Sequence, residues 1–345
     1  MIHFNNFLYI MKGMRWIMKN RKNKLILSII FILILIIIGY IIYILISNKQ
    51  SQNITFYTVG GNKENGLVIS DCKEDQEKGT DYETLKKLKG NQFVWVPVEN
   101  VVANSYDEAK EMVKNDKYPL VVKEGDNYKT LIYYFDGNNK EIKLNVGSFE
   151  ITSEPSSNDS DEKQRFNEMV EYLIKYKGFY VSMFEIGNIT NLHDNGDNKG
   201  ISKYGQNHIA ENTWSNMFSL CKNMYQYKNA KSEMIWGCQW NAILIWFYSN
   251  ESTRDYAFSM KNKGNFSGKL NYTGENPNYC INNIYDIFGN VAEWTQASTG
   301  EIYRLAVGSN FENADSNYIS ETDFTDNPEN SYKFIGTRAV LYLYE

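Results

Sequence analysis

The segment Asn283-Ile-Tyr-Asp-Ile-Phe-Gly-Asn-Val-Ala-Glu-Trp-Thr295 sets two carboxylates around a glycine turn and runs on into an apolar strand. Gly289-Asn290 supplies residue types that accept the backbone angles of a tight turn. Val291 to Thr295 follows as a short strand. Asp286 stands before the turn and Glu293 after it, so the turn can bring both side chains and the Gly289 and Val291 carbonyls toward one small volume. Asn290 is expected to brace the turn. Trp294 is expected in the core, as are Trp95, Trp236 and Trp240, because an indole buries a large area where it packs.

On the C-terminal side, Tyr303 to Val307 and Thr337 to Tyr344 read as strands. On the N-terminal side a helix is predicted at Ser232 to Tyr248, with Trp236, Trp240, Ile243, Leu244 and Phe247 on one face. Gly237 would cost such a helix roughly 1 kcal/mol against Ala. Trp214, Met217, Phe218, Cys221, Met224 and Tyr225 mark a second helix. Phe166, Met169, Val170, Leu173 and Ile174 mark a third, capped from the polar loop Ser153 to Asp161. Gly178 to Gly187 and Phe93 to Val98 read as strands. Tyr128 to Phe135 and Lys140 to Val146 flank the hairpin signal Asp136-Gly-Asn-Asn139. Short strands, few helices and long polar loops give an α+β fold class.

The 345 residues are 43% hydrophobic and 15% aromatic, which provides for an ordered core and excludes wholesale disorder. A net charge of −5 argues against a nucleic-acid partner. Leu25 to Ser47 carries no charge and is predicted as a transmembrane helix, since its length matches a hydrocarbon core of roughly 30 Å. Lys12, Arg15, Lys19, Arg21, Lys22 and Lys24 precede it, which places residues 1–24 in the cytoplasm and everything after Asn48 outside the cell membrane. No small-residue cleavage site follows, so the segment reads as an uncleaved, single-span signal anchor. Residues 48–90 read as a polar stalk leading into a domain at 91–345. Cys72, Cys221, Cys238 and Cys280 show no metal-ligand spacing and read as buried small hydrophobes, with at most two bridges in three pairings.

These blocks resemble the formylglycine-generating enzyme family, the sulfatase-modifying-factor-like domains. Asn283 to Thr295 resembles its N-x-Y-D-x-x-G-N-V-x-E-W-T signature. Gly178-Phe-Tyr-Val-Ser-Met-Phe-Glu-Ile-Gly187 is similar to its GFYIGRYEAG strand, with Met183 where Arg is usual. Met234 to Ala242 is similar to MWGxQWDA, Arg304 to Ser309 to RGGS, and Gly336-Thr-Arg338 to GFR. Gly66 to Asp71 and Asn91 to Val98 resemble leading segments of bacterial surface members. The match covers most of Phe56 to Tyr344 and implies a C-type-lectin-like fold: a small twisted sheet, two principal helices and much irregular structure.

The resemblance also implies a structural Ca²⁺ at the matching positions, held by the Asp286 and Glu293 side chains and the Gly289 and Val291 carbonyls. Those are hard oxygen donors of the kind calcium takes. The alternative is that the two carboxylates hydrogen-bond the turn's amides. Arg338 is expected to pair with a buried carboxylate, and Gln239 to bond backbone. Formylglycine synthesis in the family uses a copper-binding cysteine pair after the RGGS block, and the matching positions here are Glu312 and Asn317. No catalytic residue is therefore assigned and no copper is expected, because copper(I) sites need soft donors. His193 and His208, the ectodomain imidazoles, sit in polar loops and are expected to be solvated. Asn310, Phe311, Asn313, Ser316, Asn317 and Tyr318 form a loop of paratope-like composition, expected as an exposed ligand-binding surface with Phe311 or Tyr318 as anchor. The resulting reading is a membrane-anchored, extracytoplasmic, non-catalytic module for an extracellular glycan or protein ligand. The alternatives are an oxidase or oxygenase of this superfamily with an unrecognised site, and a structural envelope protein.

Overall fold

The structure, a computed structural model, describes residues 28–40, 52–137, 139–144, 154–155, 159–188, 199–209, 211–259, 263–299, 303–312 and 324–345. The chain falls into two compact units, Met1–Asn53 and Ile54–Glu345. In the first, residues 28–40 form a helix whose side chains are exposed. Among the described residues no helix is long and apolar enough to cross a membrane. The transmembrane span expected at Leu25 to Ser47 is corrected accordingly. At 1.5 Å per residue, the described helical residues 28–40 account for roughly 20 Å. The remainder of that span lies outside the described residues.

The second unit is built on two sheets. In chain order the strands are β1 (Tyr57–Gly60), β2 (Val68–Ser70), β3 (Gln92–Pro97), β4 (Gly178–Ser182), β5 (Gln226–Tyr227), β6 (Ala230–Met234), β7 (Ala292–Thr299), β8 (Tyr303–Val307), β9 (Phe324–Asp326), β10 (Ile335–Thr337) and β11 (Ala339–Leu343). The larger sheet runs β1-β2-β3-β4-β11-β6-β5, with every neighbouring pair antiparallel. The smaller runs β9-β8-β7-β10, with β7 and β10 parallel. The segment expected as a stalk thus supplies β1 and β2.

The large sheet is covered on both faces, which is why its strands read as apolar runs. Val94, Val96, Val181 and Val340 pack in one cluster with Phe166, Val170, Trp236 and Trp240. Their neighbours Phe93 and Leu341 pack in another with Met217, Cys221, Met234 and Trp294. Adjacent residues on one strand entering different clusters is the period-2 alternation of a strand.

Among the described residues five α-helices accompany the sheets: α1 (Tyr82–Leu85), α2 (Tyr106–Val113), α3 (Ser160–Tyr176), α4 (Trp214–Lys222) and α5 (Gly237–Ser249). Asp159 caps α3 by accepting from the Asp161 and Glu162 amides, and Thr213 caps α4 by accepting from Asn216. The C-type-lectin-like arrangement expected from the resemblance is not shown. In its place are mixed sheets, these helices, and a further assembly of Val102–Ala103, Val121–Glu124 and Asn127–Thr130 beside the hairpin Tyr133–Asp136 and Glu141–Leu144. α2 escaped the periodicity reading because Ala109 is its one buried residue.

The helix expected over Ser232 to Tyr248 is also corrected. Ser232, Glu233 and Met234 pair in β6 with Leu341, Val340 and Ala339 of β11, and the helix begins at Gly237. At that first position glycine carries no interior-helix penalty. A Cβ there would meet the Ala297 Cβ at 2.9 Å.

Candidate functional site

The turn of the Asn283–Thr295 block is formed by left-handed residues: Asp286 at φ 53°, Gly289 at 67° and Asn290 at 63°. Asn and Asp tolerate this region better than most residues. Gly289 is required for a second reason. It pairs with Asn265, and a Cβ on it would stand 2.6 Å from the Asn265 carbonyl oxygen.

The side chains around this turn form one buried polar network. Asp286 Oδ2 accepts from the Gly274 amide at 2.6 Å. Glu293 Oε1 accepts from Arg338 Nε at 2.8 Å and lies 2.7 Å from Nη2. Arg338 also donates to the carbonyls of Ser182 and Tyr285, each at 2.8 Å. Glu185 accepts from Asn290 Nδ2 at 2.9 Å and from the Val291 amide at 3.1 Å. Asn290 Oδ1 accepts from Asn265 Nδ2 and the Asn271 amide, so Asn290 braces the turn as expected. His208 is buried rather than solvated: Nε2 lies 2.7 Å from the Asn271 carbonyl oxygen, and Nδ1 lies 3.2 Å from Glu185 Oε2 without an aligned hydrogen bond.

Asp286 and Glu293, assigned together as metal ligands, therefore share a network but answer to different partners. Val291 enters through its amide, and Gly289 donates its own amide to Gly308 at 2.7 Å. Calcium takes roughly six to eight oxygen ligands. An ion drawing on Glu293 would lie beside the Arg338 guanidinium, and one drawing on Asp286 would displace the Gly274 amide. Among the described residues no group of three or more His, Cys, Asp or Glu side chains could hold a metal ion. The donor set does not fit calcium. It fits the alternative for Asp286, and the expected ion pair for Arg338.

Three carboxylates face one guanidinium here, and burial raises all three. Asp286 is pushed up to about 7 by burial, with the Glu293 charge adding to it against the Gly274 amide and Arg338. Glu185 is raised well above the usual range by burial and then by Asp286 and Glu293. Glu293 is raised by burial against Arg338. His208 is pushed down to about 4 by burial, which leaves it neutral at physiological pH.

These shifts have opposite signs as pH contributions. Between the ordinary 3.8 and about 7, Asp286 is protonated when folded and ionised when unfolded, so its contribution to stability falls as pH rises through about 7. His208 contributes the reverse, gaining stability as pH rises from about 4 to its ordinary 6.5. Asp286→Asn keeps an acceptor for Gly274 and is expected to remove the falling component, visible as a flatter or rising urea midpoint between pH 5 and 7.5. An unchanged profile would contradict the assignment.

The loop expected as a ligand surface is pinned at its described end. Asn310 and Phe311 are 7% and 6% exposed. Phe311 donates its amide to the Asn290 carbonyl and accepts from the Gly268 amide, which ties it to the motif turn. Phe311 is thus corrected from an exposed anchor to a core residue. Asn313, Ser316, Asn317 and Tyr318 lie outside the described residues, as does His193. Glu312 pairs with Lys333 at 2.6 Å. All four cysteines are free, with Cys221 and Cys238 buried. Burial pushes the Cys221 thiol up to about 12 and Cys280 to about 11, far from thiolates at neutral pH.

Two sites were not visible in the sequence. Glu154, read only as part of a polar loop, is buried and accepts from the Gly237 and Cys238 amides at 2.7 and 2.9 Å and from Thr130 Oγ1 at 2.7 Å. It caps α5 from outside its own stretch of chain, where the helix dipole favours a negative charge. The second is a surface cleft of about 160 Å³ where α3, α4, β5 and β6 meet, lined by Arg165, Glu168, Lys222, Lys231, Glu233 and Tyr344 among others.

No family model and no curated protein matches this chain. Among solved structures, Treponema denticola variable protein 1 aligns at 12% identity with a TM-score of 0.32, over 48% of this chain and 84% of that one. A likeness of that extent carries no argument about fold or function.

Proposed function

We propose that the Ile54–Glu345 unit is a non-catalytic binding module for a glycan or protein ligand, related to the formylglycine-generating enzymes through its sequence blocks and lacking their chemistry. One observation carries this reading. The charged residues of the signature blocks, Glu185, Asp286, Glu293 and Arg338, are all buried and bonded to one another or to nearby backbone. Groups committed in this way stabilise a fold and are not free to meet a substrate. Glu312 and Asn317, at the family's cysteine positions, offer a hard oxygen and a neutral amide in place of thiolates.

The test is incubation of the purified chain, with and without copper, with a cysteine-containing sulfatase-type peptide, followed by detection of peptide aldehyde. No aldehyde above the protein-free control is the expected result. Aldehyde formed in proportion to the chain would overturn the proposal. Screening the same protein against saccharides and peptides should reveal at least one saturable ligand.

A further inference from the structure

The cleft beside α3 gathers three cations and two carboxylates, of which only Arg165 and Glu233 form a pair, and a loose one at 3.7 Å. Arg165 and Glu168 lie one helical turn apart on α3. Lys231 and Glu233 alternate on β6, so they share a face of the strand. Lys222 ends α4, and Gln226 begins β5 at the sheet edge. These residues, with Tyr342 and Tyr344, surround about 160 Å³, room for several water molecules or one small polar ring.

The charges are present but poorly spent. Arg165 Nε is buried without a hydrogen-bond partner and stands 3.7 Å from Glu233 Oε1, too far for a hydrogen bond. Its guanidinium and the Lys222 ammonium both lie near the Phe218 ring, at 5.2 and 5.7 Å from the centroid. The Lys231 ammonium lies 5.7 Å from the Tyr344 ring. Neither lysine forms an ion pair among the described residues, whereas surface lysines elsewhere, such as Lys86 and Lys110, do. Among the described residues, Glu168 accepts from the exposed Gln164 amide at 2.9 Å, and Glu233 meets Gln296 at 3.5 Å.

We infer that this cleft binds an acidic sugar residue, a uronic acid or its equivalent. The inference rests on the binding-module reading and gives it a ligand class. Lys222 and Lys231 supply positive charge for one carboxylate, with Arg165 beside them only loosely held by Glu233. Glu233, Glu168 and the Gln226 amide supply acceptors beside them, which a simple anion would leave unused or be repelled by. A ring that carries a carboxylate next to hydroxyl donors satisfies both sets at once. An acidic peptide brings the charge but no adjacent hydroxyls.

The test is retention of the full chain on immobilised polyuronate, on a neutral polysaccharide and on polyglutamate. Retention on polyuronate alone is expected, weakening as salt screens the lysines. The double variant Lys222→Gln/Lys231→Gln, at one half-buried and one exposed position, should lose at least tenfold in affinity for soluble polyuronate, with an unchanged melting curve. Wild-type binding in the double variant would overturn the cleft assignment, and equal retention on polyglutamate would overturn the sugar assignment. In either case the module reading stands. No saturable ligand on any of these supports or in the wider screen would overturn both.

Discussion

Arg338→Ala is expected to lose about 3–5 kcal/mol of unfolding free energy, the range for breaking a buried ion pair from one side. The magnitude follows from what is left behind. Glu293 is wholly buried and its other oxygen, Oε2, has no protein partner, so removal of Arg338 leaves a buried carboxylate without its counter-charge. The Ser182 and Tyr285 carbonyls lose their donors in the same step. These belong to β4 and to the motif, so one guanidinium ties the large sheet to the turn. A typical domain has only about 5–15 kcal/mol in total, so the variant should be near the edge of folding. Urea denaturation checks this: the midpoint should fall with the slope unchanged. The double variant Arg338→Met/Glu293→Met should recover much of the loss, because an apolar pair of similar volume avoids stranding a charge.

Glu154→Ala is expected to cost about 3 kcal/mol, since it leaves buried donors unsatisfied at roughly 1–3 kcal/mol for each group fully stranded. The Gly237 and Cys238 amides at the start of α5 and the Thr130 hydroxyl all depend on this one carboxylate. The small cavity lined by Thr130, Glu154, Gly237 and Trp240 holds about 20 Å³, so a water can take over part of the bonding. Glu154→Gln should cost less than the alanine variant, because its carbonyl oxygen still accepts from one amide. Thermal unfolding of the two variants orders them. Equal, small effects would show that the α5 terminus is satisfied by other means.

The parts of this molecule legible in its sequence are those decided locally. α3 and α4 follow from apolar periodicity and short-range caps at Asp159 and Thr213. The hairpin at Asp136 follows from its turn residues, with Asp136 opposite Glu141. Arg338 and Asn290 were legible as structural residues because the signature places them beside carboxylates and a turn.

What was missed depends on distant partners. Ser232 to Met234 carries a helix-compatible pattern, yet lies in β6 because β11 offers a ladder more than a hundred positions away. Phe311 reads as a surface aromatic in a polar loop, yet its backbone is fastened to Asn290 and Gly268. Glu154 and Glu185 take their roles from α5 and the motif turn, and nothing in their own neighbourhoods announces this. The calcium expectation rests on a related ambiguity. Two carboxylates near a glycine turn suit an ion or an internal donor equally well, and Gly274 and Arg338 are the internal donors that these two meet.

The central claim is that the signature residues hold the fold through an internal ion pair and hydrogen bonds in place of a bound metal. The most direct measurement is the urea midpoint of the full chain in excess calcium against the same chain in excess chelator. The account predicts coincident unfolding curves. A native-state calcium site would instead stabilise by about 2.7 kcal/mol at a hundredfold excess over its dissociation constant. A midpoint raised by calcium, with the increment abolished by Asp286→Asn, would contradict the account.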